Sequence, residues 1–102
     1  MTTDQHPLAD LAELDDLVHQ RARLGILAML REAAKVDFVR LRETLGLTDG
    51  NLARHLQTLA DAGYVTTRKA QSRTWVSLTA NGKKAFDKEL AALRALVERF
   101  GD

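Results

Sequence analysis

Leu45-Gly46-Leu47-Thr48-Asp49-Gly50-Asn51-Leu52-Ala53-Arg54-His55-Leu56-Gln57-Thr58-Leu59-Ala60-Asp61-Ala62-Gly63-Tyr64-Val65 is the stretch that decides how this 102-residue chain folds. It reads as the end of one helix, a tight turn, a second helix over 48–62, and entry into a strand. Gly46 suits a left-handed helix C-cap. Thr48 suits an N-cap, because its hydroxyl can accept a bond from an orphaned amide one turn on. Leu52, Leu56 and Leu59 recur at helical spacing, so one side is buried. The other side carries Gly50, Asn51, Arg54, Gln57 and Thr58, with His55 at its edge. These groups form hydrogen bonds but are mostly uncharged, whereas a merely solvated helix usually shows Glu and Lys there. Such a face fits directional contacts with base edges in a major groove. Amphipathic helices in general have polar faces, so the flanking segments must carry part of the weight.

Upstream, Asp37 is expected to cap a helix over 38–45, with Phe38, Leu41 and Leu45 inward and Arg40, Arg42 and Glu43 outward. Only Gly46-Leu47-Thr48 separate it from the next helix, the length of a helix-turn-helix turn. Before it, Gln20 to Ala34 predicts a helix with Leu24, Leu27, Ala28 and Leu30 in its apolar stripe, widened by Ile26 and Met29. Gly25 inside it marks either close packing or a tolerated surface glycine. Leu8, Leu11, Leu14 and Leu17/Val18 predict a first helix over 8–18, short and two-sided enough to need a packing partner. Whether the two join near His19 is left open. Residues 1–7 read as a frayed tail.

Downstream of Gly63, the runs Tyr64–Lys69 and Arg73–Leu78 are β-like and joined by a short polar connection. The hairpin of 64–79 carries Arg68, Lys69 and Arg73 near its tip. It fits a wing lying along a phosphate backbone; solvated tip charges are the commonplace alternative. Thr79 is expected to cap a last helix over 80–100, whose Phe86, Leu90, Leu93, Val97 and Phe100 form a long apolar seam. That seam, with Leu8, Leu11, Leu14 and Val18, predicts a dimer interface.

Composition sets outer bounds. The length suits one domain with a small core. There are no cysteines, which excludes disulfides and cysteine-based metal sites, and the three histidines lack ligand spacing. No apolar run is long enough for a transmembrane helix, no signal-peptide core is present, and a cytoplasmic protein that binds no membrane and associates with the nucleoid is expected. No nucleophile–base set or phosphate loop is visible, so neither an enzyme nor a cofactor is expected. The net charge of +1 is unevenly spread. Asp4, Asp10, Glu13, Asp15 and Asp16 precede residue 19 with no Lys or Arg among them, and all 15 basic residues follow. A module of near-neutral total charge can thus carry a basic face.

The fold class expected is mainly α with a small β-hairpin. In order, His19-Gln20-Arg21-Ala22-Arg23-Leu24-Gly25-Ile26-Leu27, Val36-Asp37-Phe38, Leu45 to Leu56, Ala62-Gly63-Tyr64-Val65 and Leu78-Thr79-Ala80-Asn81-Gly82 resemble the winged helix-turn-helix regulators of the MarR/ArsR type. The resemblance implies a homodimeric transcriptional regulator, often a repressor, built on long terminal dimerisation helices. It would bind double-stranded DNA at an inverted repeat through Thr48, Gly50, Asn51, Arg54, His55, Gln57, Thr58, Arg68, Lys69 and Arg73. A small organic effector is left open. Two departures stand out: the hairpin tip is shorter than in most relatives, and the Cys/His metal sites of the ArsR sensors are missing. The alternative is the same fold used as a protein-interaction module without duplex affinity.

Overall fold

The computed structural model describes residues 7–101, with side chains described from residue 20 onward. Among these residues the order is α1 (Pro7–Ala33), β1 (Lys35–Asp37), α2 (Phe38–Leu45), α3 (Asp49–Asp61), β2 (Val65–Ala70), β3 (Arg73–Leu78) and α4 (Ala80–Phe100). The helices expected over 8–18 and 20–34, whose junction near His19 the sequence leaves open, are joined as one helix. No glycine, proline or capping residue lies between Val18 and Gln20 to break it. Pro7 opens α1, where its missing N–H is no loss. The expected seam residues Leu8, Leu11, Leu14 and Val18 lie outside the described side chains.

The core is built where α1, α2 and α3 converge on the sheet. Ile26, Leu30, Leu41, Leu52 and Val76 are fully buried, and Leu27, Leu56, Leu59, Val36, Val65 and Phe86 complete the cluster. Ile26 and Leu30, four residues apart, form the centre of the α1 stripe, while Ala28 is exposed. The expected stripe holds at Leu24, Leu27 and Leu30 and fails only at Ala28, with Ile26, expected merely to widen it, at its centre. Gly25 marks close packing: a Cβ there would come within 2.8 Å of the Leu45 side chain of α2.

Instead of a lone hairpin there is a three-stranded antiparallel sheet in the order β1-β3-β2. The added strand pairs Val36 with Val76 and Asp37 with Trp75. In the hairpin, Val65 pairs with Leu78 and Ala70 with Arg73, which leaves a two-residue turn. Both turn residues, Gln71 and Ser72, have positive φ, at 52° and 67°. That matches the twist of the strands but normally recruits Asn or Gly.

The start of α4 is locked to the corner between α3 and β2. The Thr79 hydroxyl accepts from the Gly82 amide at 2.9 Å and donates to the Gly63 carbonyl at 2.6 Å. Gly82 is buried against the Tyr64 carbonyl oxygen, into which any Cβ would run. Beyond it, Phe86 is buried and Leu90 packs partly on the core. An Arg31–Asp87 ion pair at 3.1 Å ties α1 to the same part of α4. From Ala91 to Phe100 every residue is exposed, including Leu93, Leu96, Val97 and Phe100.

Candidate nucleic-acid interface

The α2–α3 turn is set by local chemistry. Asp37 caps α2 by accepting from the Arg40 amide at 3.0 Å. Gly46 ends it in the left-handed conformation, φ 66°, with the Leu47 amide bonded back to the Arg42 carbonyl at 3.0 Å. Thr48 then opens α3, its hydroxyl accepting from the Asn51 amide at 3.1 Å. Arg42 reaches across the turn and donates to the Asp49 carboxylate at 2.8 Å. That bond and the charge behind it raise the Arg42 pKa above its ordinary value. From sequence, Arg42 reads only as an outward helix residue; the sole signal of its pairing is a cation near the end of α2 and an acid at the start of α3.

With Leu52, Leu56 and Leu59 buried, α3 presents Gly50, Asn51, Arg54, Gln57 and Thr58 to solvent, and His55 is half-buried at the edge. The exposed side chains brace one another. Arg54 donates to the Asn51 side-chain oxygen at 3.0 Å, Gln57 donates to Asp61 at 2.8 Å, and the Thr58 hydroxyl donates to the Arg54 carbonyl at 3.1 Å. Each brace uses only part of the group's capacity. Arg54 keeps further N–H donors, Asn51 keeps its amide N–H groups, and Thr58 keeps acceptor lone pairs. Holding long side chains in place lowers the ordering entropy that a ligand must overcome.

The hairpin distributes its cations by strand alternation. Arg68 stands opposite Trp75, on the sheet face away from the core, whereas Lys69 stands opposite Thr74 on the face that carries Val76. Lys35 lies 5.1 Å from the Trp75 ring on that outer face. Arg73 pairs with Asp37 at 3.3 Å, tying the hairpin tip to the start of α2. An open hollow of about 540 Å³ lies between them, lined by Val39, Arg40, Ser72 and Thr74 among others. Arg68, Lys69 and Arg73 are thus neighbours in the chain but do not share one face.

The expected dimer seam is corrected at Phe86, which lies in its own chain's core. Leu90 is half-buried, and Leu93, Val97 and Phe100 are 40%, 67% and 72% exposed. Among the described residues no helix is long and apolar enough to cross a membrane, and no cluster of three or more His, Cys, Asp or Glu could hold a metal ion.

A family model described as a winged helix DNA-binding domain matches residues 22–97. An uncharacterized protein of Methanocaldococcus jannaschii is 40% identical over 68 residues, 63% of this chain and 74% of that protein. A transcriptional regulator homologue from Pyrococcus horikoshii superposes with a TM-score of 0.71 at 30% identity, over 85% of this chain and 95% of that one. A MarR-family transcriptional regulator from Silicibacter pomeroyi gives 0.67 at 25% identity, over 76% of this chain and 54% of that one. With its helix-turn-helix, its hairpin wing and this match, the chain belongs to the winged helix DNA-binding domain family, and its structural neighbours include a MarR-family transcriptional regulator.

Proposed function

We propose that the protein is a homodimeric, sequence-specific DNA-binding regulator, acting as a repressor by occupying an inverted-repeat operator. The observation that carries this reading is the braced, exposed, hydrogen-bonding face of α3 around Asn51 and Arg54. Arg54 is assigned to a base edge, ideally guanine, and Asn51, Gln57 and Thr58 to bases or phosphates beside it. Gly50 lets the backbone come close, His55 flanks the contact, and the Thr48 hydroxyl and the first amides of α3 face a phosphate. On the hairpin, Lys69 is assigned to the backbone, and Arg68 and Arg73, which strand alternation puts together on the outer sheet face, are assigned weaker backbone contacts, Arg73 being already paired with Asp37. The dimer is assigned to the exposed half of α4 through Leu93, Val97 and Phe100, aided by Leu90 and by the α1 residues Leu8, Leu11, Leu14 and Val18.

The test is an equilibrium titration of the wild type against a pool of random duplexes over a salt series, followed by sequencing of the bound fraction. A DNA regulator gives affinity that falls steeply with salt and a bound fraction enriched in one inverted repeat. A protein-interaction module gives no duplex affinity even at low salt.

A further inference from the structure

Asp49 is a carboxylate in the first turn of α3, at the edge that would meet DNA. It suits the positive end of the helix. It also stands where a phosphate would approach the same amides and the Thr48 hydroxyl. The two demands conflict unless the charge is covered.

Arg42 covers it. The pair is held from the α2 side: the Arg42 side chain is only 31% exposed, whereas that of Asp49 is 72% exposed. One guanidinium nitrogen bonds Asp49 at 2.8 Å, and another lies 3.5 Å from Glu43. A cation anchored on one helix is therefore spread across two carboxylates beside the start of the next.

We propose that Arg42 is a positioning residue for duplex binding that acts through Asp49, neutralising its carboxylate so that a phosphate can reach the first turn of α3. This rests on the DNA-binding reading above. Arg42 need not touch DNA. Without it, Asp49 keeps its favourable place on the helix but faces the phosphate as an unshielded like charge.

The roles open to Arg42 make different predictions for Asp49. Masking predicts that Asp49 harms binding only when Arg42 is gone. A mechanical brace predicts that losing either partner is equally damaging. A direct phosphate contact predicts that changing Asp49 cannot repair the loss of Arg42.

The experiment measures affinity for one selected duplex at low and high salt. It compares wild type, Arg42→Ala, Arg42→Gln, Asp49→Asn, the Arg42→Ala/Asp49→Asn double variant, and Lys84→Ala, which removes the same charge from an exposed site at the start of α4, outside the exposed seam. Far-UV circular dichroism and thermal melting confirm that each is folded, and Arg42→Gln serves if Arg42→Ala is not. Arg42→Ala should bind about ten-fold more weakly at low salt, with the deficit shrinking as salt screens it. Asp49→Asn should bind at least as tightly as wild type. The double variant, which has the wild-type net charge, should return to within about two-fold of it, and Lys84→Ala should stay near wild type. A double variant as weak as Arg42→Ala, or an Asp49→Asn variant equally weak, overturns the masking role while leaving the DNA-binding reading intact. A wild type that binds no duplex overturns both.

Discussion

The exposed face of α3 and the hairpin both bear polar and basic groups, yet they are built differently. On α3 the side chains sit on a helix whose opposite face is fully buried, and they hydrogen-bond to one another: Arg54 to Asn51, Gln57 to Asp61, Thr58 to the backbone. On the hairpin, Arg68 and Lys69 have no carboxylate partner among the described residues and lie on opposite faces of a two-stranded edge. A braced constellation can discriminate between partners, because its geometry is set before contact. Loose cations on a ribbon respond to charge density and carry little sequence information. On this reading, specificity resides in α3 and general affinity in the hairpin.

The largest expected effect removes the symmetry that both regions depend on. Leu93→Glu with Val97→Glu places charges on the exposed α4 seam without touching the core, so the fold should survive as a monomer. Loss of the second recognition helix should weaken binding to an inverted repeat on the order of 100-fold or more, because the second half-site would no longer be engaged intramolecularly. Sedimentation velocity and titration on full and half sites check this; a variant that remains a dimer would move the interface elsewhere.

Next in size, Arg54→Ala should cost roughly 1–3 kcal/mol on the preferred duplex and little on a scrambled one. Lys69→Ala should weaken both duplexes alike and reduce the salt slope by about one for each phosphate it no longer neutralises. Arg68→Ala should do less than Lys69→Ala, because of its outer-face position; equal effects would show that the ribbon binds edge-on. Smallest, Ser72→Gly should relieve a left-handed non-glycine residue and stabilise the fold by about 0.5 kcal/mol, or roughly 3 °C in melting temperature, with specificity unchanged.

The parts that could be read from the sequence are those fixed by local chemistry. The Asp37, Thr48 and Thr79 caps, the Gly46 stop and the Leu52-Leu56-Leu59 face depend only on neighbours within a turn or two, and the structure has them as expected. Features that depend on distant partners were hidden. β1 is three residues long, too short to show alternation, and exists because Val36 meets Val76 far along the chain. Phe86 and Phe100 share one helical seam in the sequence, but periodicity names a face without saying what covers it; Phe86 meets its own core and Phe100 does not. The Arg42–Asp49 pair needs the angle between two helices, and the division of Arg68 from Lys69 needs the strand register.

The most direct test is selection from a random duplex pool with wild type and Arg54→Ala in parallel. Wild type should enrich an inverted repeat with half-site centres about one helical turn apart. The Arg54→Ala selection should keep that spacing but lose preference at one base pair in each half-site. The same motif at full strength from both proteins, or no enrichment from the wild type, would contradict the assignment of α3 as the reading helix.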